Sequence, residues 1–119
     1  MIKTLVFGVS VKPYKYSNLA VRRLVENKID TVAFGHKEGV VDGVEIQNDL
    51  NGFKDIDTIT LYLNPKIQQE YYQTIIELKP RRVIFNPGTE NPEFYSILKN
   101  NGIQAEEACT LVLLATGQY

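Results

Sequence analysis

The chain has 119 residues, with thirteen Lys and Arg against fourteen Asp and Glu and a formal charge of −1. Hydrophobic residues make up 44% and charged residues 23%, an ordinary globular balance that lacks the basic excess of a general nucleic-acid binder. A chain of this length buries roughly 65% of its unfolded surface, which lets one domain over residues 1–119 form a core without disulfides or a structural metal.

Cys109 is the sole cysteine. An internal disulfide is therefore excluded, and a reducing, cytoplasmic compartment is expected. No apolar run approaches the ~20 residues of a membrane span, and Gly8 interrupts the first apolar stretch too early for a signal peptide. Neither nucleic acid nor membrane is expected as a partner. A single histidine with no cysteine beside it gives no expectation of a metal site.

Short apolar runs alternate with amphipathic stretches along the chain. Thr4-Leu5-Val6-Phe7 reads as a strand buried on both faces, ending at Gly8. Ser17 reads as the N-cap of a helix carrying Ala20, Val21, Leu24 and Val25 on one side, with Arg22, Arg23 and Glu26 on the other. Thr31-Val32-Ala33-Phe34 is a second buried strand. Gly39 to Ile46 reads as a turn and one small edge strand. Asp57 to Leu63 is the next central strand, followed by Asn64 as cap and Pro65 as first residue of a helix. Ile67, Tyr71, Ile75 and Leu78 form one face of that helix, which Pro80 stops. Arg82-Val83-Ile84-Phe85 is another strand. Asn91-Pro92 opens a helix with Phe94, Ile97 and Leu98 inside, closed by Gly102. A weaker strand over 103–107 and a short helix over 109–114 complete the chain.

This order predicts an α/β fold: a Rossmann-like three-layer αβα sandwich with a doubly wound, mainly parallel sheet of about five strands. Ligands of such sheets bind beyond the carboxyl ends of the strands, at the point where strand order reverses. Four loops lie there. The first runs from Gly8 to Ser17. Gly8 lets a ligand approach the backbone, Lys12 and Lys15 carry charge, and the helix start presents free N–H groups, a set suited to a diphosphate. The G-x-G-x-x-G fingerprint is absent. Tyr14 and Tyr16 are candidates to cover a ligand or the sheet end. In the second loop, Gly35-His36-Lys37 stands where an NAD-binding domain places a carboxylate for the ribose hydroxyls. Cations there favour a ribose that carries its own phosphate, as in NADP or coenzyme A. The third loop is Leu63-Asn64-Pro65. The fourth, Asn86 to Asn91, is a rigid turn in which Asn86, Thr89 and Asn91 supply hydrogen-bonding groups. Glu90 and Glu93 lack a partner of matched chemistry, so no catalytic residue is assigned. Cys109 reads as a small core residue at a helix start.

Gly8-x-Ser10, Lys15-Tyr16-Ser17-Asn18, Val44-Glu45-Ile46, Asn86-Pro87-Gly88-Thr89-Glu90-Asn91, and the tail from Ala108-Cys109-Thr110 to Gly117-Gln118-Tyr119 together resemble the small stand-alone CoA-binding proteins, relatives of the CoA-binding domain of succinyl-CoA synthetase. The resemblance runs over essentially the whole chain. It implies a Rossmann-like fold holding coenzyme A. Gly8, Val9, Ser10, Lys15 and Ser17 would approach the diphosphate. Gly35, His36 and Lys37 would lie by the adenosine and its phosphate. Leu63, Asn64 and Pro65 would line the cleft, and Asn86, Pro87 and Gly88 would lie toward the pantetheine. Phe34-Gly35-His36 departs from the many relatives with proline at the end of the second strand. The ligase partner domains and the phosphorylated-histidine segment of the synthetase have no counterpart, so its catalysis is not carried over. The expected function is non-catalytic binding of coenzyme A or an acyl-CoA. An NADP-dependent oxidoreductase, a redox or nucleotide sensor, and an interaction module working through a protein partner or as a homodimer stand as alternatives.

Overall fold

The structure is a computed structural model that describes residues 2–119. In chain order its elements are β1 (Lys3–Phe7), α1 (Tyr16–Glu26), β2 (Asp30–Phe34), β3 (Gly39–Val41), β4 (Val44–Gln47), β5 (Thr58–Leu61), α2 (Pro65–Gln68), α3 (Tyr72–Leu78), β6 (Arg82–Phe85), α4 (Pro92–Asn100), β7 (Gln104–Glu107) and α5 (Thr110–Ala115). The strands form one sheet in the order β3-β4-β2-β1-β5-β6-β7. Every neighbouring pair is parallel except β3 and β4.

The fold is therefore α/β and Rossmann-like, with seven strands rather than about five. The difference lies largely in residues 39–47, which form a complete hairpin. Asp42 and Gly43 sit at its tip with φ of 48° and 80°, the paired positive values of a primed two-residue turn. β4 then joins the sheet beside β2, with Ala33 opposite Ile46.

Alternation along the strands feeds two cores. Leu5, Phe7, Ile59, Leu61, Val83 and Phe85 face α3 and α4 and pack on Ile75, Phe94 and Leu98. Val6, Ala33 and Ile46 face the other way, onto Val21 and Leu24 of α1, with Leu114 of α5 and Tyr119 beside them. The second face also carries a polar row. Thr4, Thr58 and Arg82 lie side by side in register, Arg82 bonds Thr58 Oγ1 at 3.1 Å and Glu106 at 3.0 Å, and the Tyr119 ring lies 4.9 Å from the guanidinium while its hydroxyl bonds Thr4.

Two local readings need correction. Ser17 is not the N-cap of α1. The cap position is Lys15, and Ser17 sits inside the first turn with its Oγ accepting the Ser10 N–H at 3.0 Å. The helix expected from Pro65 to Leu78 is broken by a 3-10 turn over Gln69–Tyr71. That turn sets the Tyr71 ring edge-on against Phe7 and Phe34, at 5.2 and 5.6 Å. Gln68, just before it, is fully buried. Its Nε2 donates to Leu63 O and to Thr89 O, both at 2.8 Å, and its Oε1 accepts from Asn91 Nδ2 at 2.9 Å. An unpaired buried amide costs about 1–3 kcal/mol, so these three bonds are what permit the break.

Strand order reverses between β1 and β5. The chain leaving β1 turns toward β2 and the chain leaving β5 toward β6, which opens a crevice between them. Gly8 lies at that point with φ of +101°, and a Cβ there would stand 2.7 Å from Leu63 Cδ2. The exits of β1 and β2 are clasped together. Phe34 O accepts from both Gly8 N and Val9 N at 2.8 Å, and Gly35 N donates to Gln47 O at 3.0 Å. A Cβ on Gly35 would stand 2.3 Å from Val9 O. A backbone oxygen cannot yield as a side chain can, so Gly35→Ala should lower stability by about 1–3 kcal/mol in urea unfolding. A loss under ~0.5 kcal/mol would show that the clasp gives way without strain.

At the opposite edge, the Arg81 guanidinium bonds both Asp57 carboxylate oxygens, at 3.1 and 3.2 Å, and holds that carboxyl below its ordinary value of 3.8. A lowered folded pKa means stabilisation that is present above about pH 4 and lost as pH falls through the folded value. Arg81 is 54% exposed, which limits the effect to roughly 0.2–1 kcal/mol. Asp57→Asn should therefore differ from wild type in urea midpoint at pH 7 and converge with it in strong acid.

Candidate nucleotide cleft

The carboxyl edge of the sheet carries three adjoining chambers. The first, about 310 Å³, lies over the clasp. Gly8, Val9 and Ser10 form its floor with Phe34 and Gly35. Lys12, His36 and Lys37 are exposed on its rim, and Leu63, Ile67 and Tyr71 close the far wall. The second, about 350 Å³, brings together Lys15, Tyr16 and Ser17 from the start of α1 with Asn64, Pro87 and Gly88. The third, about 370 Å³, lies between Asn86-Pro87, Tyr16 and the start of α5. Tyr16, Tyr62 and Pro87 line both the second and the third. Of the residues expected at the site, Tyr14, Pro65 and Asn91 line none of the three; Tyr14 is exposed and Asn91 is buried. Pro65 is displaced by its place in the helix. It is the first residue of α2, behind Asn64, whose Oδ1 caps that helix by accepting Ile67 N–H at 3.0 Å.

The loop from Gly8 to Lys15 is braced from α1. Asn18 Nδ2 donates to Ser10 O at 3.0 Å. Arg22 bonds Asn18 Oδ1 at 3.0 Å and Pro13 O at 2.9 Å, so it serves the loop rather than open solvent. Ser10 Oγ accepts Lys12 N–H at 3.1 Å. Ser10 and Ser17 thus each accept one loop N–H, and each keeps its own O–H to donate.

The helix start behind this loop is open. α4, like α2, is capped by an asparagine, with Asn91 accepting from Phe94 N–H. α1 has no side-chain cap and no acidic residue in its first turn. The first-turn N–H groups of Tyr16, Ser17 and Asn18 have no intrahelical acceptor, and the dipole adds positive potential there. Lys15, at the cap position, lines the same chamber as Tyr16 and Ser17.

The fourth loop is more committed to the fold than its composition suggests. Asn86 Nδ2 donates to Thr60 Oγ1 at 2.7 Å and Leu61 O at 2.9 Å, and its Oδ1 accepts from Thr110 N at 2.9 Å. Thr89 Oγ1 donates to Asn86 O, and Asn91 Nδ2 donates to Gln68 and to the Tyr72 hydroxyl. These groups shape the cleft and leave little amide capacity for a ligand. Glu90 accepts Gly88 N–H at 2.8 Å, and no carboxylate lines any of the three chambers.

Sequence reasoning did not single out Tyr62, Leu111 and Val112, which form most of the third chamber with Cys109. Tyr62 immediately follows β5, and that place beyond a strand end is the signal that marks it. Burial pushes its phenol above the ordinary tyrosine range, so it stays protonated. No helix among the described residues is long and apolar enough to cross a membrane.

Comparison with known proteins fits this geometry. A search of curated proteins finds no match. An uncharacterised protein of known crystal structure is 44% identical, with a TM-score of 0.96, covering 100% of this chain and 98% of its own. A protein from Thermus thermophilus has a TM-score of 0.88 at 19% identity, covering 99% and 90%. A conserved hypothetical protein from Pyrococcus furiosus has 0.82 at 22%, covering 94% and 98%. The latter two share the fold. The family described as CoA binding domain matches residues 3–115, a range that holds every strand of the sheet, and the chain belongs to that family.

Proposed function

We propose that the protein binds coenzyme A in an extended pose along the carboxyl edge of the sheet and carries out no chemical step on it. The observation that carries this reading is the uncapped start of α1, beside Lys15 and midway along a cleft that carries Lys12 and Lys37 at one end and is apolar at the other. The diphosphate would sit on the α1 N–H groups with the Ser10 and Ser17 hydroxyls donating. The ribose phosphate would face His36 and Lys37. The pantetheine would run past Asn64, Pro87 and Gly88. From the end of β2 to the end of β7 the cleft crosses four strand intervals, about 19 Å at the usual spacing, a span suited to a long flexible arm.

His36 and Lys37 at this place also suit the ribose phosphate of NADP. NADP, however, would place a polar nicotinamide where this cleft is apolar. Binding without catalysis is supported by the lining, in which no carboxylate appears and the one imidazole, His36, and the one thiol, Cys109, line different chambers.

Freshly purified protein should release CoA on denaturation. CoA at ~100 times its dissociation constant should add about 2.7 kcal/mol of stability. If no CoA is released and saturating CoA leaves the melting temperature unchanged, the reading fails. Stronger stabilisation by NADP than by CoA would transfer it to the alternative. Lys37→Ala should reduce the preference for CoA over dephospho-CoA by about two- to five-fold, the upper range of one exposed ion pair, in a calorimetric titration.

A further inference from the structure

The third chamber is chemically unlike the other two. Tyr16, Tyr62, Pro87, Cys109, Leu111 and Val112 surround it, and none of them carries a charge. Its one amide, Asn86, has both donors and its acceptor engaged inside the fold. The walls therefore offer a ligand apolar surface, phenol edges and a thiol. The rim is apolar as well, with Val112 55% exposed.

A bare sulfhydryl makes poor use of such a space. At about 30 Å³ for a water-sized unit, 370 Å³ holds roughly a dozen such units. The chamber is also in line with the arm. Tyr16, Tyr62 and Pro87 border the middle chamber on their other side, so the two chambers adjoin at these three residues. Lys12 and Lys37 lie at the opposite end, over the clasp, and Lys15 lines the middle chamber.

We propose that this chamber holds the acyl chain of a short-chain acyl-CoA thioester, and that the protein binds such thioesters in preference to free CoA. The proposal rests on the CoA reading above and specifies what occupies the far end of the same cleft.

Calorimetric titration of the full chain with CoA, acetyl-CoA and butyryl-CoA tests it. Each methylene fully buried is worth about four-fold in affinity. Butyryl-CoA should therefore bind roughly 15-fold more tightly than acetyl-CoA if both added methylenes are covered, with a more negative heat-capacity change. Val112→Asp places a charge on the rim at a site outside the core, and should collapse the ratio of butyryl-CoA to CoA affinity toward one. Equal affinity for CoA and butyryl-CoA, or a ratio unmoved by Val112→Asp, overturns the acyl assignment and leaves CoA binding standing. Failure of all three compounds to bind overturns both.

Discussion

The carbonyl oxygen of Phe34 accepts from two successive N–H groups, Gly8 and Val9, and the shape of the cleft follows from that shared acceptor. Parallel strands end with free backbone groups, and the chain beyond them has no ladder to follow. Here the end of β2 supplies the acceptor for the chain leaving β1. This turns residues 8–15 over the sheet and aims the start of α1 into the crevice. Gly35 is small because Val9 O occupies the space of a side chain, and Gly8 takes a positive φ because the turn begins there. Neither glycine needs to touch a ligand to determine where one sits.

Gln68 and Asn86 do on the other bank what the clasp does on this one. Gln68 ties the loop after β5 to the loop after β6. Asn86 ties the end of β6 to β5 and to the start of α5. Each buried amide has its donors and acceptor paired, so each adds rigidity without the roughly 1–3 kcal/mol penalty of an orphaned group. The cleft thus lies between two braced banks, and it needs no lid to keep its form. Amides that composition marks as ligand donors serve here as the frame that holds other donors in place.

What the sequence made legible follows the strength of each local signal. Continuous apolar runs at Leu5-Val6-Phe7 and Val83-Ile84-Phe85 marked strands because both faces of the sheet are buried. Asn64-Pro65 and Asn91-Pro92 marked helix starts because cap and ring act locally. Ser17 misled because serine in a first turn looks the same whether it caps its own helix or accepts from a loop seven residues back. The break at Gln69–Tyr71 was hidden because its cause, the burial of Gln68 against Thr89 and Asn91, is tertiary. Asp42-Gly43 did carry a hairpin signal, and two strands were there to be read from it. At the site, the glycines and cations stood out by type. Tyr62, Leu111 and Val112 did not, since an apolar residue that lines a cleft reads like one that fills a core.

The cleft divides its chemistry by position, and the magnitudes show why both ends matter. An exposed cation contributes about 0–1 kcal/mol to an ion pair, and a helix N-terminus about 0.3–1 kcal/mol, up to ~2 when partly buried. On the proposed reading, Lys12, Lys15 and Lys37 with α1 would attract almost any phosphorylated nucleotide, and salt would weaken that attraction. Buried methylenes at the β7 end contribute about 0.8 kcal/mol each and are indifferent to charge. A ligand with phosphates alone uses one end, and a hydrophobic chain alone uses the other. Only a molecule that joins phosphates to an apolar terminus, through an arm about as long as four strand intervals, draws on both. Selectivity under the proposed reading would thus be a matter of span more than of any single contact. The rigid banks set that span before a ligand arrives.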